Sequence, residues 1–130
     1  MKKLVIAAIM GFGFVGSAAA DPIHGTWETT ADDNGNYGHI EISNCESTIC
    51  GVLVRAYDGM GAQLESENIG RYLVWNMENI GEGNYDNGKV YSPDRDKTYN
   101  GDMRLSGSSL TVRGCVFGIC RSGGIWNRVN

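Results

Sequence analysis

The sequence contains no apolar segment long enough to cross a membrane, and it has few basic residues beyond its first 20. Its longest apolar run, residues 4–15, holds 12 residues, whereas a membrane-spanning helix needs about 20. Residues 21–130 carry nine Lys and Arg against fifteen Asp and Glu, a formal net charge of −6. Binding to nucleic acid or to an anionic membrane surface requires a basic surface. The charge therefore excludes nucleic acid as a partner, and the short apolar run predicts no stable membrane insertion.

Catalytic and metal-binding motifs are also missing. The two histidines, His24 and His39, belong to no recognisable nucleophile motif, which would need a base close to Ser, Cys or Thr. There is no Cys-x-x-Cys and no glycine-rich phosphate loop before a helix. Asp94 and Asp96 resemble the start of a calcium loop but lack its glycine and its distal glutamate. The acidic residues allow many carboxylate pairs, but no spacing singles one out. We therefore predict a protein that is not an enzyme and that holds no metal and no cofactor.

The first 20 residues have the three parts of a secretory signal. Two lysines form a basic start, residues 4–15 form an apolar segment, and residues 17–20 are the small residues Ser-Ala-Ala-Ala, as a signal peptidase requires. We predict a cleavable signal helix over residues 1–20 and one mature domain over residues 21–130, with an uncleaved anchor or a buried helix as the alternatives for the first segment. No cysteine follows the cleavage site to carry a lipid. The expected location is the periplasm or the medium outside a bacterial cell.

Turn dipeptides separate short segments rich in Val, Ile, Tyr and Thr over residues 21–130. Residues 37–44 alternate apolar with polar side chains, the period of a half-buried strand. Residues 71–78 fit either a strand or a short helix, and the glycine-rich, acidic residues 58–70 are predicted to form a loop. The pattern predicts an all-β domain of about eight strands, the others being 24–31, 50–57, 84–92, 98–105, 110–116 and 119–129. Short links predict antiparallel neighbours, and such a sheet loses its exposed edges by closing into a barrel.

Four cysteines form two pairs with the same spacing: Cys45 and Cys50, and Cys115 and Cys120. If residues 47–48 and residues 117–118 are the turns of two hairpins, the members of each pair face each other within disulfide reach. The same spacing also fits four thiolate ligands of zinc. Because the protein is predicted to be exported, an oxidising compartment favours two local disulfides, each contributing about 2 kcal/mol to the free energy of unfolding.

An ordered set of short motifs spans the predicted domain. They are Gly25-Thr26-Trp27, Cys50-Gly51, Gly88-Lys89-Val90-Tyr91-Ser92-Pro93, Lys97-Thr98-Tyr99, Val112-Arg113-Gly114-Cys115 and Trp126-Asn127-Arg128. Their order resembles the bacterial exported family catalogued as domain of unknown function 2147, whose members are similar to lipocalins. The resemblance implies a small antiparallel up-and-down β-barrel in which Arg128 packs across the indole of Trp27, a cation–π contact of about 0.5–2 kcal/mol. The turn after Pro93 departs from the family's pattern because it lacks a glycine.

The interior of such a barrel is the predicted site. A barrel of eight strands encloses packed side chains or one small ligand, and ligand pockets are mostly apolar with a few polar groups. The candidate ligand-binding residues lie in mid-strand or at the rim: Tyr57, Tyr72, Trp75, Tyr91, Tyr99 and Arg113. The alternative is that the aromatic residues only fill the core or cover the surface. An error of one residue in strand phase turns every side chain to the other face.

Two functions of different classes remain open. The leading hypothesis is a non-enzymatic binder of a small hydrophobic or amphipathic molecule, because the resemblance implies a lipocalin-like barrel and catalytic motifs are missing. The second is a protein-binding module, such as a periplasmic inhibitor of a cationic lytic enzyme. It rests on the net charge of −6 and on the acidic residues 58–70. The size and lining of an internal cavity would bear on both.

Overall fold

The computed structural model describes residues 21–130, which form an all-β fold. The predicted signal sequence, residues 1–20, lies outside the described residues. Nine strands follow one another: β1 (Gly25–Glu28), β2 (Tyr37–Cys45), β3 (Thr48–Tyr57), β4 (Gln63–Leu64), β5 (Tyr72–Gly81), β6 (Asn84–Ser92), β7 (Lys97–Ser106), β8 (Ser109–Val116) and β9 (Ile119–Arg128). In residues 21–130 no helix has the length and hydropathy that crossing a bilayer requires.

Eight of the nine strands close into an antiparallel barrel. Strands β5 to β9 pair in sequence, β3 pairs with both β2 and β5, and β1 joins β2 to β9 and completes the ring. The two-residue β4 lies within the predicted loop 58–70 and pairs with the end of β3. Closure removes the free edges that an open sheet of this size would expose. The predicted lipocalin-like, up-and-down barrel of about eight strands is confirmed.

The first strand is shorter than the predicted 24–31, because side-chain hydrogen bonds replace strand pairing after Glu28. The Thr30 hydroxyl donates to the carbonyl of Ile125 at 2.6 Å and accepts from the backbone N–H of the same residue at 3.1 Å. Thr30 therefore holds the end of β1 against β9 without continuing the ladder, which has only two pairs between these strands.

Within residues 71–78, which fitted a strand or a helix, all but Arg71 belong to strand β5. A register shift separates the pairs Gly51–Val74 and Val52–Tyr72, so that one extra residue of β5, Leu73, is inserted there. Such a bulge breaks the alternation of side chains. Leu73 and Val74 are both buried as a result, and this accounts for the ambiguous hydrophobic pattern.

The second cysteine hairpin has the predicted register. Cys115 faces Cys120 directly, their Cα atoms are 3.9 Å apart, and a disulfide joins them. The turn consists of Phe117 and Gly118, which have φ values of 52° and 80°. Two consecutive residues with positive φ form the turn that best matches the twist of a hairpin, and glycine adopts this conformation without steric cost.

The first cysteine hairpin corrects the predicted register, although its disulfide is the predicted one. The turn lies one residue earlier than residues 47–48, so that Cys45 faces Thr48 and Cys50 faces Ser43. The disulfide between Cys45 and Cys50 therefore runs diagonally across the hairpin, with Cα atoms 5.8 Å apart. The left-handed turn position is taken by Glu46, at φ 59°. The β-branched Thr48 is thereby left to begin β3, where such residues pack well.

One end of the barrel is closed by residues 21–24 and by the last strand. The indole N–H of Trp27 donates to the carbonyl of Ile23 at 2.9 Å. The guanidinium of Arg128 lies 4.4 Å from the centroid of the Trp27 ring, as the family resemblance implied, and it donates to the carbonyl of His24 at 2.8 Å. Trp27 and Ile23 are fully buried. These contacts seal the base of the barrel.

The carboxylate of Asp21 attaches the same segment to the barrel wall. It accepts hydrogen bonds from the backbone N–H of Ile23 at 2.9 Å, from the side chain of Asn79 at 2.8 Å, and from the hydroxyl of Tyr85. Burial alone would raise the pKa of Asp21, but these hydrogen bonds outweigh it and lower the pKa below its usual value. Burial and the bond to Asp21 raise the pKa of Tyr85. At neutral pH the pair is therefore a carboxylate and a neutral phenol.

Candidate ligand cavity

The end of the barrel opposite Asp21 opens into a cavity of about 1040 Å³. Its most deeply buried lining side chains come from four strands around the ring: Leu53, Leu73, Val112 and Trp126. Small-molecule sites in proteins are commonly clefts of about 300–1,000 Å³ lined by apolar and aromatic side chains. The cavity therefore has the size and the apolar interior of a site for a small organic molecule.

The inner face of β8 shows why one half of the barrel is packed and the other is open. Alternation places Leu110, Val112 and Gly114 on this face. Leu110 is fully buried in the packed half, whereas Val112 and Gly114 line the cavity. Gly114 contributes no side chain, and a Cβ atom placed there would lie 3.4 Å from the Cγ atom of Tyr99. The missing side chain leaves this part of the wall to the ring of Tyr99.

Charged residues of both signs line the cavity: Asp32, Glu65, Asp94, Arg95 and Arg121. The carboxylate of Asp32 accepts hydrogen bonds from the backbone N–H groups of Asn34 and Asn36, each at 2.9 Å. Its first role is therefore to stabilise the loop between β1 and β2. An apolar interior with charged residues near its entrance is the arrangement that suits an amphipathic ligand, whose polar end stays near water.

Three of the six predicted ligand-binding residues line this cavity: Tyr57, Tyr91 and Tyr99. Tyr99 faces Val90 in the register of β6 and β7, and both contribute to the wall. Tyr57 lies at the rim, where its ring stacks on that of Tyr37 with centroids 5.1 Å apart. The stack fixes the position of two aromatic rings beside the entrance.

Tyr91 is fixed at the rim by contacts at its ring and at its hydroxyl. The guanidinium of Arg71 lies 3.9 Å from the ring centroid, and the hydroxyl donates to the carboxylate of Asp96 at 2.6 Å. The hydrogen bond to Asp96 is the main reason that the pKa of Tyr91 is raised. Tyr91 therefore holds the β6–β7 turn in place as well as lining the cavity.

Two predicted residues, Tyr72 and Trp75, lie outside the barrel cavity. They line a shallower groove of about 580 Å³ on the outer surface, beside the disulfide of Cys45 and Cys50. The bulge in β5 explains the position of Tyr72, because the extra residue Leu73 takes the inward place instead. The structure therefore does not bring the six predicted residues into one site.

The sixth predicted residue, Arg113, is engaged in an ion pair with Asp102. Its Nε donates to Oδ1 at 2.7 Å and its Nη2 donates to Oδ2 at 2.6 Å, and the two residues face each other in the register of β7 and β8. These hydrogen bonds raise the pKa of Arg113. Because its neighbours Val112 and Gly114 line the cavity, alternation along the strand turns Arg113 to the outer face.

The described residues contain one group with the spacing of a metal site. It consists of Asp102, Cys115 and Cys120, whose ligand atoms lie within 4.8 Å of one another. The two sulfur atoms are bonded to each other, whereas a metal requires thiolates. The Asp102 carboxylate is already bound on both oxygens by Arg113. This donor set therefore does not fit a metal ion.

Both histidines have polar partners away from the cavity. The Nε2 atom of His24 lies 3.0 Å from the side-chain oxygen of Asn44. His39, which the alternation of β2 placed on the polar face, is partly buried, with its Nε2 atom 3.1 Å from a carboxylate oxygen of Glu28. Neither histidine is among the cavity-lining residues of the described chain.

The most buried lining residues and Arg121 were not among the six predicted site residues. For Arg121 a usable signal existed: once Cys115 faces Cys120, the preceding pair must be Gly114 with Arg121, as the register shows. Both then lie on the same face of the sheet. For Leu73 no local signal existed, because its inward position depends on the bulge in β5.

Comparisons with known proteins agree with this architecture. Residues 25–128 match the model of a family described as an uncharacterized protein conserved in bacteria, DUF2147. No curated protein sequence matches the chain. Among solved structures, the fold is similar to that of protein HP1028 from the human pathogen Helicobacter pylori, which belongs to the lipocalin family. The TM-score is 0.65 and the identity is 14%, over 86% of this chain and 85% of that chain. At this identity the similarity is one of fold.

Proposed function

Because this chain belongs to the DUF2147 family of bacterial proteins and folds as a lipocalin-like barrel, we propose that it binds a small hydrophobic or amphipathic molecule without transforming it chemically. The observation that carries the proposal is the cavity of about 1040 Å³, apolar inside and charged near its entrance. The proposal places the protein in the periplasm or outside the cell, where two disulfides persist.

The physical basis of such binding is the transfer of apolar surface out of water. Each ligand methylene that enters the cavity contributes about 0.8 kcal/mol. The barrel is closed by strand pairing, and two disulfides pin its hairpins. The cavity therefore forms without ordering a flexible segment, which keeps the conformational cost of binding low.

Titration with Nile red, a neutral apolar dye, tests the proposal. We expect saturable enhancement of dye fluorescence by the wild-type protein, and displacement of the dye by lauryl alcohol. The variant Val90→Asp places a charge in the cavity wall and should weaken dye binding at least about tenfold, which corresponds to about 1.4 kcal/mol.

The matched control is Val52→Asp. Val52 is also half-buried, but it faces Glu41 in the register of β2 and β3 and does not line the cavity. This variant should bind the dye as the wild type does. If no saturable dye binding occurs, or if Val90→Asp binds as well as Val52→Asp while both remain folded, the proposal is wrong.

The acidic loops at the mouth favour one alternative, a cationic protein partner. The loops 29–36 and 58–62 touch each other, since a Cβ atom placed on Gly35 would lie 3.1 Å from the Cα of Gly59. This contact brings acidic residues of both loops to one side of the mouth. Electrostatic attraction of a basic enzyme would follow from such a patch. Inhibition of lysozyme by the purified protein, abolished by added salt, would support this alternative; unchanged lysozyme activity would exclude it for that enzyme.

A further inference from the structure

Arg121 lies at an inward-facing position near the mouth of the cavity. It faces Gly114 in the register of β8 and β9, and residues that face each other project to the same side of a sheet. Gly114 and Arg121 both line the cavity. Because Gly114 has no side chain, no opposing side chain from β8 covers the guanidinium of Arg121.

Three of the seven arginines of the described chain have partners within the protein. Arg113 binds Asp102, Arg128 packs on Trp27, and Arg71 packs on Tyr91. In residues 21–130 no carboxylate lies within ion-pair distance of Arg121, and the same is true of Arg55, Arg95 and Arg104. Of these four, Arg121 and Arg95 line the cavity. A guanidinium that faces a cavity and has no protein partner can form two parallel hydrogen bonds with a carboxylate.

The surrounding charges limit the kind of anion that would fit. Asp32, Glu65 and Asp94 also line the cavity, and they repel a head group with several negative charges. A head group with a single charge needs one cation, and two line the cavity: Arg95 in the β6–β7 turn and Arg121 on strand β9 of the wall. Arg121 is the one placed on the barrel wall. The deeper wall is apolar, with Leu73 and Trp126 among its buried side chains, so the rest of the ligand should be a hydrocarbon.

From these positions we propose that Arg121 binds the carboxylate of a single-chain anionic amphiphile whose hydrocarbon tail occupies the barrel. The inference rests on the proposed function and deepens it, because it names the ligand class and the residue that selects it. A neutral amphiphile of the same length gains the apolar term but lacks the charge-assisted hydrogen bonds.

The experiment compares three amphiphiles with the same chain: laurate, lauryl alcohol and lauryltrimethylammonium. Each is titrated against the protein at neutral pH by displacement of Nile red, below the concentration at which it forms micelles. Wild-type protein should bind laurate at least about tenfold more tightly than lauryl alcohol, the factor given by about 1.4 kcal/mol. The cationic amphiphile should bind more weakly than laurate.

The variant Arg121→Gln should abolish the preference for laurate and leave the affinity for lauryl alcohol unchanged, and Arg121→Lys should keep part of it. The matched control is Arg104→Gln, which removes the same charge from an exposed position of β7 outside the cavity and should leave the preference intact. A further variant, Arg95→Gln, removes the other cavity-lining cation and tests the choice between the two arginines. If Arg95→Gln rather than Arg121→Gln removes the preference, the assignment to Arg121 is wrong.

The outcomes separate the two proposals. Equal binding of laurate and lauryl alcohol by the wild type would overturn this inference and leave the proposed function standing. Failure of all three amphiphiles and of Nile red to bind would overturn the proposed function itself. Tighter binding of lauryltrimethylammonium than of laurate would show that the acidic residues, and not Arg121, select the ligand.

Discussion

Single side chains fix the closed end of the barrel. Within the segment 21–24, the carboxylate of Asp21 accepts a hydrogen bond from the backbone N–H of Ile23. Arg128 of the last strand donates to the carbonyl of His24 in the same segment. Asp21 also reaches the wall through Tyr85. The bonds of Asp21 with Tyr85 and of Arg128 with His24 join the start of the described chain to strands far away in sequence, and so both residues help to seal this end of the barrel.

Replacement of Asp21 by Asn should lower the free energy of unfolding at neutral pH by about 1–2 kcal/mol, because it weakens charge-assisted hydrogen bonds. The pKa of Asp21 is lowered in the folded state from 3.8. Its stabilisation is therefore complete well above that unfolded-state value, and it is lost as the pH falls through the lower folded-state value. Urea unfolding at several pH values would measure both effects.

In Asp21→Asn this part of the acid-dependent loss should be missing, so the wild type and the variant should converge in stability at low pH. Glu78→Gln is a suitable control, because Glu78 is an exposed acid on β5. A constant difference between the wild type and Asp21→Asn at every pH would contradict the assignment of the effect to the Asp21 charge.

Two irregularities in strand pairing decide which side chains face the cavity. The bulge in β5 sends Leu73 into the cavity and Tyr72 to the outer surface. A second register shift, between Val112 and Arg113, changes the phase of β9 relative to β8. Because of this change of phase, Arg121 pairs with Gly114 and lies on the inward face of β9. Bulges commonly redirect side chains in this way.

The two disulfides should contribute similarly to stability but differently to binding. Replacing both cysteines of either pair by Ser should cost about 2 kcal/mol, the value for a small loop. Loss of the Cys115–Cys120 bond should also weaken laurate binding, because it loosens the hairpin that carries Arg121. Loss of the Cys45–Cys50 bond, beside the outer groove, should leave laurate binding unchanged. Thermal unfolding and dye displacement would measure the two effects, and equal losses of binding would contradict the prediction.

The whole barrel consists of a packed half and an open half. Met103, Met77 and Leu110 are fully buried in the first, and the cavity of about 1040 Å³ occupies the second. A side chain beside a cavity has neighbours on fewer sides and gains less from dispersion contacts. Stability should therefore reside mainly in the closed half, whereas the open half is free to serve binding.

Truncation in the two halves should show this division. Met103→Ala should lower the free energy of unfolding by about 2–5 kcal/mol, the usual cost of a cavity in a core. Leu73→Ala should cost less, because it enlarges a space that is already open, and it should weaken Nile red binding. Urea unfolding of both variants gives the comparison; an equal or larger loss for Leu73→Ala would contradict it.

The sequence by itself determined most of the strands of this protein and favoured the two cysteine pairs that form. Alternating side chains, turn dipeptides and cysteine spacing act over a few residues, and so residues 37–44 already showed their strand and Cys115 its partner. Only the tertiary structure decided which side chains enter the cavity. Those positions depend on bulges and on pairing between strands distant in sequence, and a shift of one residue reverses the face. For this reason Tyr99 lies in the cavity and Tyr72 and Arg113 lie outside it. The pairing of Arg121 with Gly114 follows from the cysteine hairpin, but the place of Arg121 in the cavity is decided by the closed barrel.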